Sequence, residues 1–219
     1  MIDISRHKEL FNAEEFTTPV TVIGAGATGS WLTLMLAKLG IKNITVYDHD
    51  VVEEHNLANQ AYGFNDVGMN KASAIYQSIW VDTRTEIQYV RDKYTSQPIF
   101  GIIFLMVDSM AERKRIWENC IRLKPRIELM IEPRMGLDLG RIYNVNPTDL
   151  KQIKEYEQTY YSDDVAEVSA CGNSMTVVTT AIAIASWCAR QLINHANNIE
   201  LDDEILIDFK YNNIVTTRW

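Results

Sequence analysis

The chain has 219 residues, 47% of them hydrophobic, and a formal net charge of −8 at pH 7. That length suits one substantial α/β domain, although two small ones would also fit it. The acidic balance, without a basic tail or a Lys/Arg-rich run, excludes a general nucleic-acid or anionic-membrane binder.

Residues 1–16 mix Asp3, Arg6, Lys8, Glu9, Glu14 and Glu15 without an apolar core, so no signal peptide is expected. Residues 4–16 predict a short helix or arm, in which Arg6 reads as a solvated surface arginine on residue type alone. Residues 20–23 read as a buried strand. They run into Gly24-Ala25-Gly26-Ala27-Thr28-Gly29, a G-x-G-x-x-G turn that opens an amphipathic helix over 30–39, stopped by Gly40. The spacing suits a nucleotide. Glycines allow a tight turn and close approach of backbone to phosphate, and the unpaired N–H groups of the following helix point at the anion. A second strand, 44–47, delivers Asp48 roughly 20 residues on, where a carboxylate can accept hydrogen bonds from ribose hydroxyls. Asp50 follows two residues later, on the same side if strand geometry persists.

Residues 51–60 are amide-rich, with Asn56, Asn59 and Gln60, and carry little periodicity. After a loop over 63–70, Lys71 starts a helix whose Ala72, Ile75, Tyr76, Ile79 and Trp80 form an i, i+3, i+4, i+7 stripe. Lys71 lies off the stripe near the helix amino terminus, where the dipole disfavours a cation unless an anion neutralises it. Strands are expected over 86–90 and over 101–107, the latter a continuous apolar run typical of a central parallel strand. It ends at Asp108, ahead of a helix over 110–123. Asp108 is either an N-cap or, at the carboxyl end of a central strand where ligands collect, a group placed to hold a cation.

Strands over 127–131 and 141–145 are joined through 132–136, and Thr148 is the candidate cap of a helix over 148–160. Residues 161–172 have no apolar period. Cys171 then stands at the start of a long helix over 173–193, where the dipole lowers a thiol pKa; the alternative is a buried packing residue. Cys188 lies at helical spacing in an apolar face and reads as core, as does Cys120. The three cysteines suggest neither a disulfide framework nor a C-x-x-C clip, so no structural zinc is expected. The longest apolar run, 175–192, is interrupted by Thr and Ser and closed by Arg190, which suits a buried helix better than a membrane span. With no export signal the expected location is cytoplasmic. Residues 204–209 and 213–217 predict a hairpin turning at 211–213.

From Asp48 to Gln60 the chain resembles the ThiF/MoeB/HesA family, bacterial relatives of ubiquitin-activating enzymes, whose equivalent stretch reads approximately D-x-D-x-V-x-x-x-N-L-x-R-Q. Asp48, Asp50, Val52, Asn56, Leu57 and Gln60 match, while Asn59 stands where an arginine is expected. The resemblance implies a single Rossmann-like domain over 1–219: a doubly wound, mainly parallel sheet with a C-terminal antiparallel extension. It implies ATP and Mg²⁺ as cofactors, and adenylation of the C-terminal carboxylate of a ubiquitin-like or sulfur-carrier protein by a homodimer. By the same resemblance Gly24, Gly26, Thr28 and Gly29 shape the phosphate turn and Asp48 and Asp50 lie at the nucleotide. Asn56, Asn59 and Gln60 line the phosphates, Lys71 and, from the other subunit, Arg6 offset phosphate charge, and Cys171 could accept the acyl group or carry sulfur. Asp108 takes the Mg²⁺ role, in a T-D-N-like context that here reads Val107-Asp108-Ser109 with Arg113 downstream. Two rival classes are an NAD-dependent oxidoreductase, for which no Tyr-x-x-x-Lys or His–Asp pairing is evident, and a non-catalytic partner subunit of an activating enzyme.

Overall fold

The computed structural model describes residues 2–162 and 176–219. Among these residues, eight strands form one sheet in the order β3-β2-β1-β4-β5-β6-β7-β8. The first five, β1 (Val20–Ile23), β2 (Ile44–Tyr47), β3 (Gln88–Val90), β4 (Gly101–Leu105) and β5 (Ile127–Met135), pair in parallel. The last three, β6 (Leu139–Val145), β7 (Glu204–Asp208) and β8 (Asn213–Thr217), continue the sheet antiparallel from β5. This is the doubly wound, mainly parallel sheet with an antiparallel extension that the sequence predicts.

Strands β1 and β4 are buried at every position because helices cover both faces. Alternation divides the core in two. Ile102 and Phe104 join the helices α1 (Ala27–Lys38), α2 (Lys71–Thr83) and α5 (Val178–Ala196) on one face. Ile103 and Leu105 join α3 (Met110–Ile116) and α4 (Leu150–Glu157) on the other, around Trp117 and Tyr156. After β1 the chain goes to β2 and β3 on one side and then returns to β4 on the other. The strand order therefore reverses between β1 and β4, where ligands of open α/β sheets collect at the carboxyl ends.

The amino-terminal arm folds as consecutive turns that bury Ile4, Phe11 and Ala13, with Ile4 and Ala13 beside the carboxyl end of α1. Gly40, at φ +91°, permits that contact: a Cβ there would lie 3.0 Å from Ile4 and 3.1 Å from Ala13. His7 Nε2 stands 3.3 Å from the Leu39 carbonyl on the same end.

Several boundaries differ from expectation for local reasons. β5 runs through Pro133 to Met135 instead of ending at Ile131, because its pairing with β4 stops at Ile131 and the missing N–H then costs no ladder bond on that side. The helix after Asp108 widens into a π-type turn over Trp117–Ile121. Asp149, not Thr148, caps α4, its Oδ1 accepting from the N–H groups of Lys151 and Gln152; Thr148 donates instead to Asn146 Oδ1. Cys188 is fully enclosed in the core and burial pushes its thiol well up, and Cys120 is buried too. Among the described residues no helix is long and apolar enough to cross a membrane.

Candidate active site

The three glycines of the turn do different work. Gly24 has φ +98°, and a Cβ on it would sit 2.7 Å from the Met106 carbonyl oxygen at the end of β4. A Cβ on Gly29 would fall 2.0 Å from the Gly24 carbonyl oxygen, so close packing of the turn on α1 forbids one. Gly26, by contrast, has nothing within 4 Å of the equivalent position among the described residues. It is the N-cap of α1 and supplies no side-chain cap, and no acidic residue lies in the first turn. The helix thus presents unpaired N–H groups to an open space, which suits an anion. Thr28 sits half-buried in that same first turn.

Asp48 is only 8% exposed. Its Oδ2 accepts from the Ala25 N–H at 2.6 Å and its Oδ1 from the Asp50 N–H at 2.8 Å, so the carboxylate braces the turn from beneath. Burial raises its pKa, opposed by those two N–H donors and by Lys71. Each oxygen keeps lone-pair capacity for a further donor such as a hydroxyl. β2 ends at Tyr47, and the two carboxylates stay close: Asp48 is buried, while the half-exposed Asp50 beside it receives Lys71 Nζ at 3.1 Å. Lys71, 8% exposed at the start of α2, therefore has a counter-charge within the chain, in Asp50. Asn70 caps α2 by accepting from the Ser73 N–H, and its Nδ2 donates to the carbonyls of Asp48 and Asp50 at 2.9 and 3.1 Å. Among the described residues, ligand atoms of Asp48, His49 and Asp50 lie within 4.8 Å of one another.

The amide-rich segment is laced to the first turns of α1. Trp31 Nε1 donates to the Asn59 carbonyl at 3.1 Å, the Ala61 N–H donates to Ser30 Oγ at 3.0 Å, and the Tyr62 hydroxyl donates to the Ala25 carbonyl at 2.6 Å. Asn56 Oδ1 accepts from the Glu53 N–H and braces the 3₁₀ turn Glu54–Ala58. Asn59 Nδ2 donates to Thr176 Oγ1. Asn59 Oδ1 and Gln60 Oε1 are buried with no hydrogen-bond partner among the described residues. Unsatisfied buried amides are costly, and a polar ligand beside the turn would satisfy them, either edge of an amide being presentable by rotation.

Asp108 is exposed just beyond β4. It is not the helix cap, since Ser109 Oγ accepts from the Glu112 N–H. A carboxylate oxygen here is the hard donor that Mg²⁺ takes, usually with one or two carboxylates and substrate phosphates. Behind the corner lies a buried ionic cluster. Arg113 Nη1 donates to Glu132 Oε1 at 2.7 Å and to the Leu105 carbonyl at 3.3 Å. Arg134 Nε donates to the same Oε1 at 2.7 Å, and the Tyr156 hydroxyl donates to Oε2. Burial pushes the Glu132 carboxyl up, but the two guanidiniums together outweigh it and hold it below the ordinary value. Glu132 and Arg134 are absent from the sequence-based reading because Pro133 and Gly136 made 132–136 look like a connection. Their i, i+2 spacing was the available signal, since in a strand it puts both on one face.

Arg6 is exposed on the arm, beside the carboxyl end of α1. The glycine turn is at the other end of that 12-residue helix, about 18 Å away at 1.5 Å per residue. Arg6 is therefore not brought to its own chain's turn. Cys171 lies outside the described residues, as do all of 163–175.

The model of the ThiF family matches residues 9–216. Among solved structures, E. coli MccB with AMPCPP and MccA superposes with a TM-score of 0.72 at 18% identity, covering 92% of this chain and 64% of that one. PaaA superposes with a TM-score of 0.66 at 17% identity, covering 92% of this chain and 73% of that one. Both likenesses are of fold, and the chain spans just under two thirds of the length of MccB, 64%. A stretch of 61 residues is 33% identical to the uncharacterized protein y4oA of Sinorhizobium fredii (strain NBRC 101917 / NGR234), amounting to 28% of this chain and 10% of that protein.

Proposed function

Since the chain belongs to the ThiF family, we propose that it binds MgATP where β1 and β4 end and activates a carboxylate as its acyl-adenylate. The observation that carries this reading is the uncapped start of α1 facing the space left open at Gly26 by the described residues, flanked by the amide oxygens of Asn59 and Gln60, which have no partner among those residues. In the reaction a carboxylate oxygen attacks the α-phosphorus, the bond from that phosphorus to the β-bridging oxygen breaks, and pyrophosphate leaves. The work of the protein is alignment and placement of positive charge where negative charge builds up. The α1 N–H groups and Lys71 meet the phosphates, Asp48 accepts from ribose hydroxyls on its remaining lone pairs, and Gln60 and Asn59 orient the phosphates. Mg²⁺, held by Asp108, would neutralise charge on the phosphate oxygens. Asn59 in place of the family arginine leaves this set one cation short.

The carboxylate is the C terminus of a peptide or small carrier, and within that class a ubiquitin-like or sulfur-carrier protein. Crystals of MccB hold ATP in one case and MccA in others, which supports a site here that takes a nucleotide together with a second partner. The chain works as one domain in a homodimer, with Arg6 of each copy serving the site of the other. Incubation with MgATP, labelled pyrophosphate and a broad panel of candidate carriers and peptides tests the reading: carrier-dependent exchange of label into ATP is expected, and its absence across the panel overturns it. The rival nicotinamide reading is separated by melting, because only a ligand that binds the native state raises its midpoint. ATP should raise it and NAD should not.

A further inference from the structure

We propose that Glu132 is a positioning residue that, acting through Arg113, sets the corner carrying Asp108. This rests on Asp108 as the Mg²⁺ ligand of the proposed reaction. Glu132 is 0% exposed on β5, and both of its oxygens are occupied by Arg113, Arg134 and Tyr156. The same Arg113 nitrogen that meets Glu132 also donates to the carbonyl of Leu105, the last residue of β4. The backbone N–H of Arg113 donates to the Ser109 carbonyl, closing the first turn of α3. One guanidinium therefore ties the strand before Asp108 to the helix after it, and Glu132 holds that guanidinium in place. Arg134 completes the anchor from the far side: its Nη1 donates to the Thr159 carbonyl at 2.6 Å and its guanidinium lies 4.5 Å from the centre of the Tyr143 ring.

Magnitude favours positioning over bulk stability. A buried charge cluster is generally no more stabilising than apolar residues of the same volume, because desolvation consumes the Coulombic gain. What an apolar side chain would not do is hold a strand-end carbonyl and a helix turn at a fixed separation. Orientation of a metal ligand is the kind of property such a tie controls, and loss of outer partners commonly costs about 10–100-fold in metal affinity.

The test compares wild type with Asp108→Asn, Arg113→Lys, Glu132→Gln and, as a control in the same region, Arg122→Lys, whose partner Glu157 is 2.7 Å away. Lysine at 113 keeps the charge beside Glu132, but a compact ammonium lacks the rigid fork that serves both acceptors. Affinity for a non-hydrolysable ATP analogue is measured by calorimetry with and without Mg²⁺, and amide exchange at residues 107–109 is measured in the ligand-free protein. Wild type should gain about tenfold or more in affinity from Mg²⁺, and Asp108→Asn should lose that gain. Arg113→Lys should lose most of it while metal-free affinity stays within about twofold, and its exchange at 107–109 should quicken about tenfold. Arg122→Lys should match wild type. A folded Arg113→Lys protein with the wild-type Mg²⁺ gain and wild-type exchange overturns the proposal, as does an equal fall in metal-free affinity. Glu132→Gln, if it folds, should behave like Arg113→Lys; if it does not, Arg113→Lys decides. No Mg²⁺ gain in wild type would sink the reading of Asp108 itself, and is thereby distinguished from a gain that Arg113→Lys leaves untouched.

Discussion

Gly26 and Gly29 are three residues apart, yet their backbones face opposite demands. Alanine at 29 would drive a methyl into the Gly24 carbonyl oxygen, 2.0 Å away. Overpacking against backbone should cost about 3 kcal/mol or more, and thermal melting should show it as a drop of roughly 6–10 °C. Alanine at 26 meets nothing within 4 Å among the described residues. It should shift stability by less than about 1 kcal/mol, while ATP-induced stabilisation, read in the same melting experiment, falls sharply as the methyl enters the phosphate space. Glu132 makes a different kind of prediction. Burial raises its pKa, but Arg113 and Arg134 more than compensate, so its folded value lies below the unfolded one of about 4.3. Its stabilisation is therefore fully present above that value and is lost as pH falls through the depressed folded value. Urea titrations should find wild type about 3–5 kcal/mol more stable than Glu132→Gln at pH 7, with the gap narrowing as pH falls below the ordinary glutamate value. Of these residues the glycines were legible in sequence, because turn chemistry is local. Glu132 was not, because beyond its strand neighbour Arg134 its partners come from α3 and α4 and only the fold brings them together.

At the scale of elements, α1 and α2 were legible from their apolar spacing and from the punctuation at Gly40 and Lys71. Less legible were ends where two polar residues compete for one cap, as at Thr148 and Asp149, or where a helix loosens by a residue, as over Trp117–Ile121. The arm yields a prediction that belongs to no single residue. Packed at the carboxyl end of α1, it carries Arg6 away from its own turn, so the proposed role requires a neighbour's site. Arg6→Ala and Lys71→Ala should each abolish pyrophosphate exchange alone. Mixed in equal amounts, they should recover about a quarter of wild-type exchange, because half the dimers are mixed and one of their two sites is intact. No recovery on mixing would count against the arm acting between subunits.

For the whole molecule, the centre of the sheet was the easiest part to read. β1 and β4 are covered on both faces, so apolar residues run along them with little alternation, and short runs of that kind bounded by turns mark a buried strand. The margins were harder: β3 is only three residues long, and every residue of β8 is exposed, so the hairpin was legible from its turn and not from burial. β8 is also an uncovered edge, with Ile214 and Val215 about half exposed. Ile214→Lys should leave the melting point within about 2 °C but reduce light scattering at high protein concentration, since a charge on an edge strand opposes edge-to-edge pairing.

The contact between Gly24 and the Met106 carbonyl has a thermodynamic corollary. The phosphate turn and the aspartate corner share one wall, so a shift in either is felt by the other. Under the proposed chemistry, occupancy of the turn by an anion and of Asp108 by a cation would be linked, and such linkage is reciprocal: whatever factor the cation adds to the affinity for nucleotide, the nucleotide must return to the cation.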